Sequence, residues 1–296
     1  MSNKPFSIIT EITCDLPQSY LKQNKIITMP LTYTLDGVEY DGSYENSLTP
    51  HDFYEKLRSG IMAKTAQISP EGSMAFFEAE IEKGNDVLYI GFSSGLSGCY
   101  QSATIAKAEL IEKYPNAKII CIDSRSASLG QGLLVDYAIK KTAEGLSIEE
   151  VAGAIEDTKL KLCHYFTVDD LNHLYRGGRV SKTAAVFGTM LGIKPVMHMD
   201  DEGKLIPIGK VRGRKASLDE LVRKMGTKLG EYKNPYVFIS HGDSLSDAKY
   251  VGEQVKKLYG IKPEIIDNVG PVIGSHSGPA TIALFFIGTD RIEKRL

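Results

Sequence analysis

Short β-rich runs alternate along the chain with longer stretches whose apolar positions recur at helical spacing. Residues 6–10, 26–29, 86–92 and 117–123 are such runs, and the last two suit parallel strands buried on both faces. The 100–114 stretch between them predicts the crossover helix. Residues 31–40 read as a hairpin around Asp36-Gly37, because Asp-Gly tolerates the positive φ of a tight turn. Thr49-Pro50 and Ser69-Pro70 each put a capping hydroxyl before a proline at the first helical position, and Ser147-Ile148-Glu149-Glu150 is a capping box. A further helix is predicted over 130–144.

After about Lys159 the pattern changes. Residues 194–199 and 204–211 flank Asp200-Asp201-Glu202-Gly203 as a second hairpin. Strands follow at 236–240, 264–269 and 280–287, with helices near 216–229 and 246–259. The expected architecture is α/β with two domains: an N-terminal parallel-sheet domain over 1–159, and a smaller C-terminal α+β domain with a mixed sheet over 160–296. The run 184–193 is apolar nearly all round, as in a buried helix or the wall of an apolar cavity.

Composition narrows the function. A chain of 296 residues with 42% hydrophobic and 24% charged residues has the material for a sizeable core. Its net charge of −2 supplies no field to draw it onto nucleic acid. The four cysteines form no C-x-x-C pair that would suggest a zinc or redox site, and no metal site is expected. No signal peptide is read at the amino terminus, and no apolar run approaches the ~20 residues that span a bilayer, so a cytoplasmic protein is expected.

The candidate chemistry sits in loops. Ser93-Ser94-Gly95-Leu96-Ser97-Gly98 leaves one predicted strand and runs into a helix, and Asp123-Ser124-Arg125-Ser126 leaves its neighbour. Ligands of open α/β sheets lie at the carboxyl ends of strands, and helix N-termini offer free amides to anions. Ser97 therefore either caps its helix or meets an anionic head group. Neither G-x-G-x-x-G nor G-x-x-x-x-G-K-[ST] is present, which disfavours dinucleotides and nucleoside triphosphates. Thr65 lies in a third hydroxyl-bearing turn, Lys64 to Pro70. His276 lies in a Gly- and Pro-rich stretch read as a loop, where an imidazole more often faces a ligand. Arg176-Gly177-Gly178-Arg179 is a compact basic corner, suited to solvent or to an acidic partner.

Taken together, Thr65-Ala66-Gln67, the Ser93 to Gly98 and Asp123 to Ser126 loops, Leu174-Tyr175-Arg176-Gly177-Gly178-Arg179 and Gly270-Pro271-Val272-Ile273-Gly274-Ser275-His276-Ser277-Gly278-Pro279 closely resemble the DegV family, in the same order over nearly the whole chain. The resemblance implies the fatty-acid-binding subunit of a bacterial fatty acid kinase. Such a protein is a carrier without catalytic residues, with a long-chain fatty acid held between the two domains and no other cofactor. It implies carboxylate ligation by Thr65, Ser97 and His276, with Ser93, Ser94, Gly98, Asp123 and Ser124 supporting the loops. Arg176 and Arg179 would face a separate kinase that makes the acyl-phosphate for phospholipid synthesis. The carrier is expected to be a monomer on its own.

Each buried methylene is worth about 0.8 kcal/mol, so a chain of ~14 brings roughly 11 kcal/mol of gross transfer free energy if it is enclosed. Two other classes use the same residues. A serine hydrolase would pair Ser97 or Ser94 with His276 and orient it with Asp123 or Asp15. A sugar- or phosphate-binding module would need a polar pocket.

Overall fold

The structure, a computed structural model, describes residues 4–181, 192–230 and 236–293. Strand β1 (Phe6–Glu11) leads through one 3-10 turn into α1 (Gln18–Gln23), and β2 (Ile27–Met29) returns parallel to β1 with Ile9 opposite Ile27. β3 (Tyr33–Leu35) and β4 (Val38–Tyr40) form the expected hairpin, with both Asp36 and Gly37 at positive φ. α2 (Pro50–Arg58) begins where the Thr49 side chain accepts the Asp52 amide. β5 (Ala63–Thr65) then adds to β3, so Thr65 ends a strand of a three-stranded sheet where a turn was expected.

α3 (Pro70–Glu82) is capped by Ser69. β6 (Asp86–Gly91), α4 (Cys99–Lys113), β7 (Ile119–Asp123), α5 (Leu129–Ala143) and α6 (Ile148–Lys159) follow, the last opened by the Ser147–Glu150 capping box. The four parallel strands are ordered β2-β1-β6-β7. Their order reverses direction at β1, and that is where ligands sit in such sheets.

The rest of the chain builds a six-stranded mixed sheet from β8 (Leu162–Thr167), which the sequence reading missed, β9 (Ile193–Met199), β10 (Leu205–Arg212), β11 (Val237–His241), β12 (Ile265–Asn268) and β13 (Ile282–Ile287). Its order is β10-β9-β8-β13-β11-β12, antiparallel except for the β11–β12 pair. The helices are α7 (Asn172–Arg176), α8 (Arg214–Lys228), α9 (Leu245–Tyr259) and α10 (Pro271–Ser277). α10 corrects an expectation. The segment read as a Gly/Pro loop is helical because Pro271 sits in the first turn, where a missing amide is harmless, and Gly278 takes φ 78° just past the end. Of the apolar run 184–193, residues 184–191 lie outside the described residues, and Ile193 begins β9.

α5 is the layer common to both sheets. Leu129, Leu133, Leu134 and Ala138 pack in one cluster with Leu88, Ile90 and Ile122 on one side and with Phe166, Met197, Phe238 and Phe285 on the other. Truncating Leu133 to Ala at such a site costs about 2–5 kcal/mol. The helix fits between its neighbours because it begins Leu129-Gly130-Gln131-Gly132. A Cβ at Gly132 would lie 2.6 Å from the Cys14 carbonyl oxygen, and one at Gly130 would lie 2.8 Å from the Phe285 ring. A second apolar cluster, with Val222 and Met225 of α8 and Val251 and Val255 of α9, covers the opposite face of the six-stranded sheet. No described helix is long and apolar enough to cross a membrane.

Candidate functional site

A cavity of about 430 Å³ lies where the loops after β1, β6 and β7 face the six-stranded sheet. That volume falls within the range of small-molecule sites. The sheet supplies a mainly apolar floor in register: Leu205, Met199 and Phe285 form one cross-strand row with the buried imidazole of His164, and Phe166 and Ala283 begin the next. Leu31, Phe92, Leu96, Val269, Val272 and Ile273 enclose it from the other sides. The outer end is polar and half-buried, and there Thr65, Ser97, Arg179 and His276 converge.

Thr65 Oγ1 and His276 Nε2 form a hydrogen bond of 2.8 Å. The other ring nitrogen of His276 faces Gly177, where any Cβ would run into it. Burial, aided by the positive charge of Arg179, pushes the imidazole down to about 4, so it is neutral at physiological pH. Ser97 Oγ accepts the Cys99 amide at 3.3 Å, outside the first residue of α4, and contacts Cys99 Sγ at 3.1 Å. Ser97 thus serves the start of its helix and also borders the cavity. The Arg179 Nε donates to the Leu96 carbonyl at 3.2 Å and its Nη1 to the Gly177 carbonyl.

The Arg176 and Arg179 side chains therefore do not share one surface. Gly178 takes φ 72°, Arg176 is exposed, and Arg179 turns inward to the cavity. The residues between these arginines make the separation: one glycine clears the His276 ring, and the other reverses the chain.

The supporting loops are stitched by their own polar groups. Asp123 accepts the Ser94 hydroxyl at 2.5 Å, the Ser94 amide at 3.1 Å and the Arg125 amide at 3.0 Å. Buried Ser93 donates to the Gly203 carbonyl, which fastens the loop to the β9–β10 hairpin. Ser124 Oγ accepts the Ser126 amide, and Ser126 Oγ meets His164 Nε2 at 2.8 Å. The Gly98 amide donates to Gln67 Oε1 at 3.0 Å, tying the Thr65 loop to the start of α4. Gln67 and Gly177 lie in motifs visible in the sequence, but the tie of Gln67 to α4 and the clearance Gly177 gives the His276 ring depend on contacts distant along the chain.

A hydrolase triad is not assembled from these parts. His276 is bonded to Thr65 and not to Ser97 or Ser94. Asp123 is committed to Ser94 and Arg125, and Asp15 to Ser128 and the Gly270 amide.

The model of the DegV family of uncharacterised proteins matches residues 5–289. The chain belongs to the DegV family. A DegV domain-containing protein of Clostridium perfringens is 44% identical over 285 residues, covering 96% of this chain and 98% of the relative. Among solved structures, a stearic-acid-binding protein from Eubacterium ventriosum superposes with a TM-score of 0.88 at 27% identity, covering 96% of this chain and 98% of the other. A DegV protein from Thermus thermophilus, solved for its fatty-acid binding, superposes with a TM-score of 0.86 at 29% identity, over 96% and 99% of the two chains. The DegV fold, with its parallel-sheet N-terminal region and mixed-sheet C-terminal region, is therefore that of this chain.

Proposed function

We propose that this DegV protein binds one long-chain fatty acid, with the acyl chain in the cavity between a domain formed by residues 1–159 and one formed by 160–296. The observation that carries the reading is the polarity gradient of the cavity. A half-buried rim of hydroxyl, imidazole and guanidinium groups opens into apolar rows from the six-stranded sheet. A sugar or free phosphate would leave those rows without a partner. The fatty-acid ligands of the Eubacterium and Thermus proteins support the same reading.

Thr65, Ser97 and His276 hold the carboxylate, and Arg179 adds the positive charge beside it, a role in place of partner docking. A neutral His276 holds the Thr65 hydroxyl toward the carboxylate without bringing a second full charge, which leaves the carboxylate reactive toward a phosphoryl donor. The exposed Arg176 is the cation left to meet a kinase, and the protein acts as a carrier that presents its lipid to that enzyme. Titration of the delipidated protein with a fluorescent long-chain fatty acid tests the binding. Saturation at one site, reversed by stearate and not by glucose 6-phosphate or inorganic phosphate, is expected. Displacement by the phosphates instead would overturn it.

A further inference from the structure

The rim leaves unexplained a set of hydroxyls on the buried wall of the same cavity. Ser240 of β11 pairs with Ala283, which pairs in turn with Phe166, so the sheet places one hydroxyl beside two apolar side chains of the cavity floor, with Asp267 of β12 on its other side. Ser128 stands behind it, its Oγ 3.0 Å from Ser240 Oγ and 2.5 Å from Asp15 Oδ2, and the Gly270 amide donates to Asp15 Oδ1 at 3.0 Å. Ser128 adopts φ 54° with ψ −145°, a conformation that non-glycine residues hold only where the surroundings enforce it, and Asp15 takes φ 51° as the left-handed cap of the 3-10 turn. Ser277 on α10 also lines the cavity. It is 6% exposed, and its hydroxyl has no hydrogen-bond partner among the described residues.

A wall meant only for methylenes gains nothing from the Ser277 hydroxyl, because a hydroxyl buried without a partner destabilises the protein where alanine would not. We propose that this wall recognises an oxygen carried on the acyl chain: the preferred ligands are hydroxy or keto fatty acids, whose chain oxygen bonds to Ser240 and Ser277. This rests on the fatty-acid reading above and adds the substrate class. Burial holds Asp15 up to about 8, so at neutral pH it carries a proton. The hydrogens then run from Asp15 to Ser128 to Ser240, and the Ser240 O–H is left as a donor to the cavity. Ser277, with both lone pairs and its hydrogen free, accepts from a hydroxyl or donates to a ketone.

The test is competition on the delipidated full chain between stearate and a series of monohydroxystearates with the hydroxyl walked along the chain. One position should bind about five- to tenfold tighter than stearate, the worth of roughly one hydrogen bond. That advantage should vanish in Ser240→Ala and in Ser277→Ala, each checked for a wild-type melting temperature. Wild-type protein that binds stearate and favours no hydroxylated isomer would overturn the proposal, as would a preference that survives in both variants. Failure of stearate and every isomer to bind would instead remove the fatty-acid reading itself.

Discussion

The Thr65 hydroxyl and His276 Nε2 lie 2.8 Å apart although 211 residues separate them in the chain. Thr65 keeps one further hydrogen-bonding function for a ligand, and His276, whose other ring nitrogen faces Gly177, acts through it. Thr65→Ala, Ser97→Ala and His276→Ala should each weaken fatty-acid binding by about 1–3 kcal/mol, the cost of leaving a charged acceptor short of a donor. Because Thr65 and His276 share a bond, their double variant should lose less than the sum of the single losses, by about 0.5–3 kcal/mol. Fluorescent fatty-acid titrations of the four proteins measure this, and strict additivity of the Thr65 and His276 losses would disconnect the pair.

The two glycines of the basic corner should behave differently. Gly177→Ala puts a Cβ into the His276 ring and should lose lipid as His276→Ala does, with the fold kept. Gly178→Ala meets nothing within 4 Å, but it sits at φ 72°. It should cost about 1 kcal/mol of stability and spare the lipid. Parallel melting curves and lipid titrations separate the two outcomes.

The arginines divide in the same way. Arg179→Gln should weaken lipid binding, because its guanidinium borders the proposed carboxylate position. Arg176→Glu reverses an exposed charge, which mainly governs encounter and register. Under the proposed carrier role it should slow acyl-phosphate formation by the partner kinase and make the remaining rate less salt-dependent. Loss of kinase turnover in Arg179→Gln at saturating, fully bound lipid would contradict this division.

Asp15 predicts a pH signature. The unfolded chain releases this proton near pH 3.9 and the folded chain at about 8. The folded state therefore holds the extra proton between those values, and its contribution to stability is full below about pH 4 and lost as pH rises through about 8. Glu11, held up to about 7 by burial, acts in the same direction. Asp15→Asn mimics the protonated acid, so it should flatten the fall in melting temperature between about pH 5 and 9. For a chain of this size each kcal/mol recovered is worth about 2–4 °C. An equally steep fall in the variant would remove Asp15 as its source.

Much of this was legible in the sequence because it is local. The strands β6 and β7 are nearly continuous apolar runs, β1 is a short β-rich run, the Ser147–Glu150 box is four consecutive residues, and Asp36-Gly37 specifies its own turn. What was not legible depends on partners far away. β5 is three residues long and is a strand only because β3 lies beside it. β8 is buried on both faces, so Leu162-Cys163-His164-Tyr165-Phe166-Thr167 shows no alternation. The Gly and Pro of α10 read as loop punctuation, yet two of them mark the helix ends. The inward turn of Arg179 follows from Gly178 and from a carbonyl of the β6–α4 loop, and nothing in the local sequence announces it.

Native mass spectrometry of the protein as purified from a bacterial host, followed by lipid extraction, tests the central claim most directly. One long-chain fatty acid per chain, released on denaturation, is predicted. Protein of bare polypeptide mass with no acyl species in the extract, or one carrying a sugar phosphate, would contradict it.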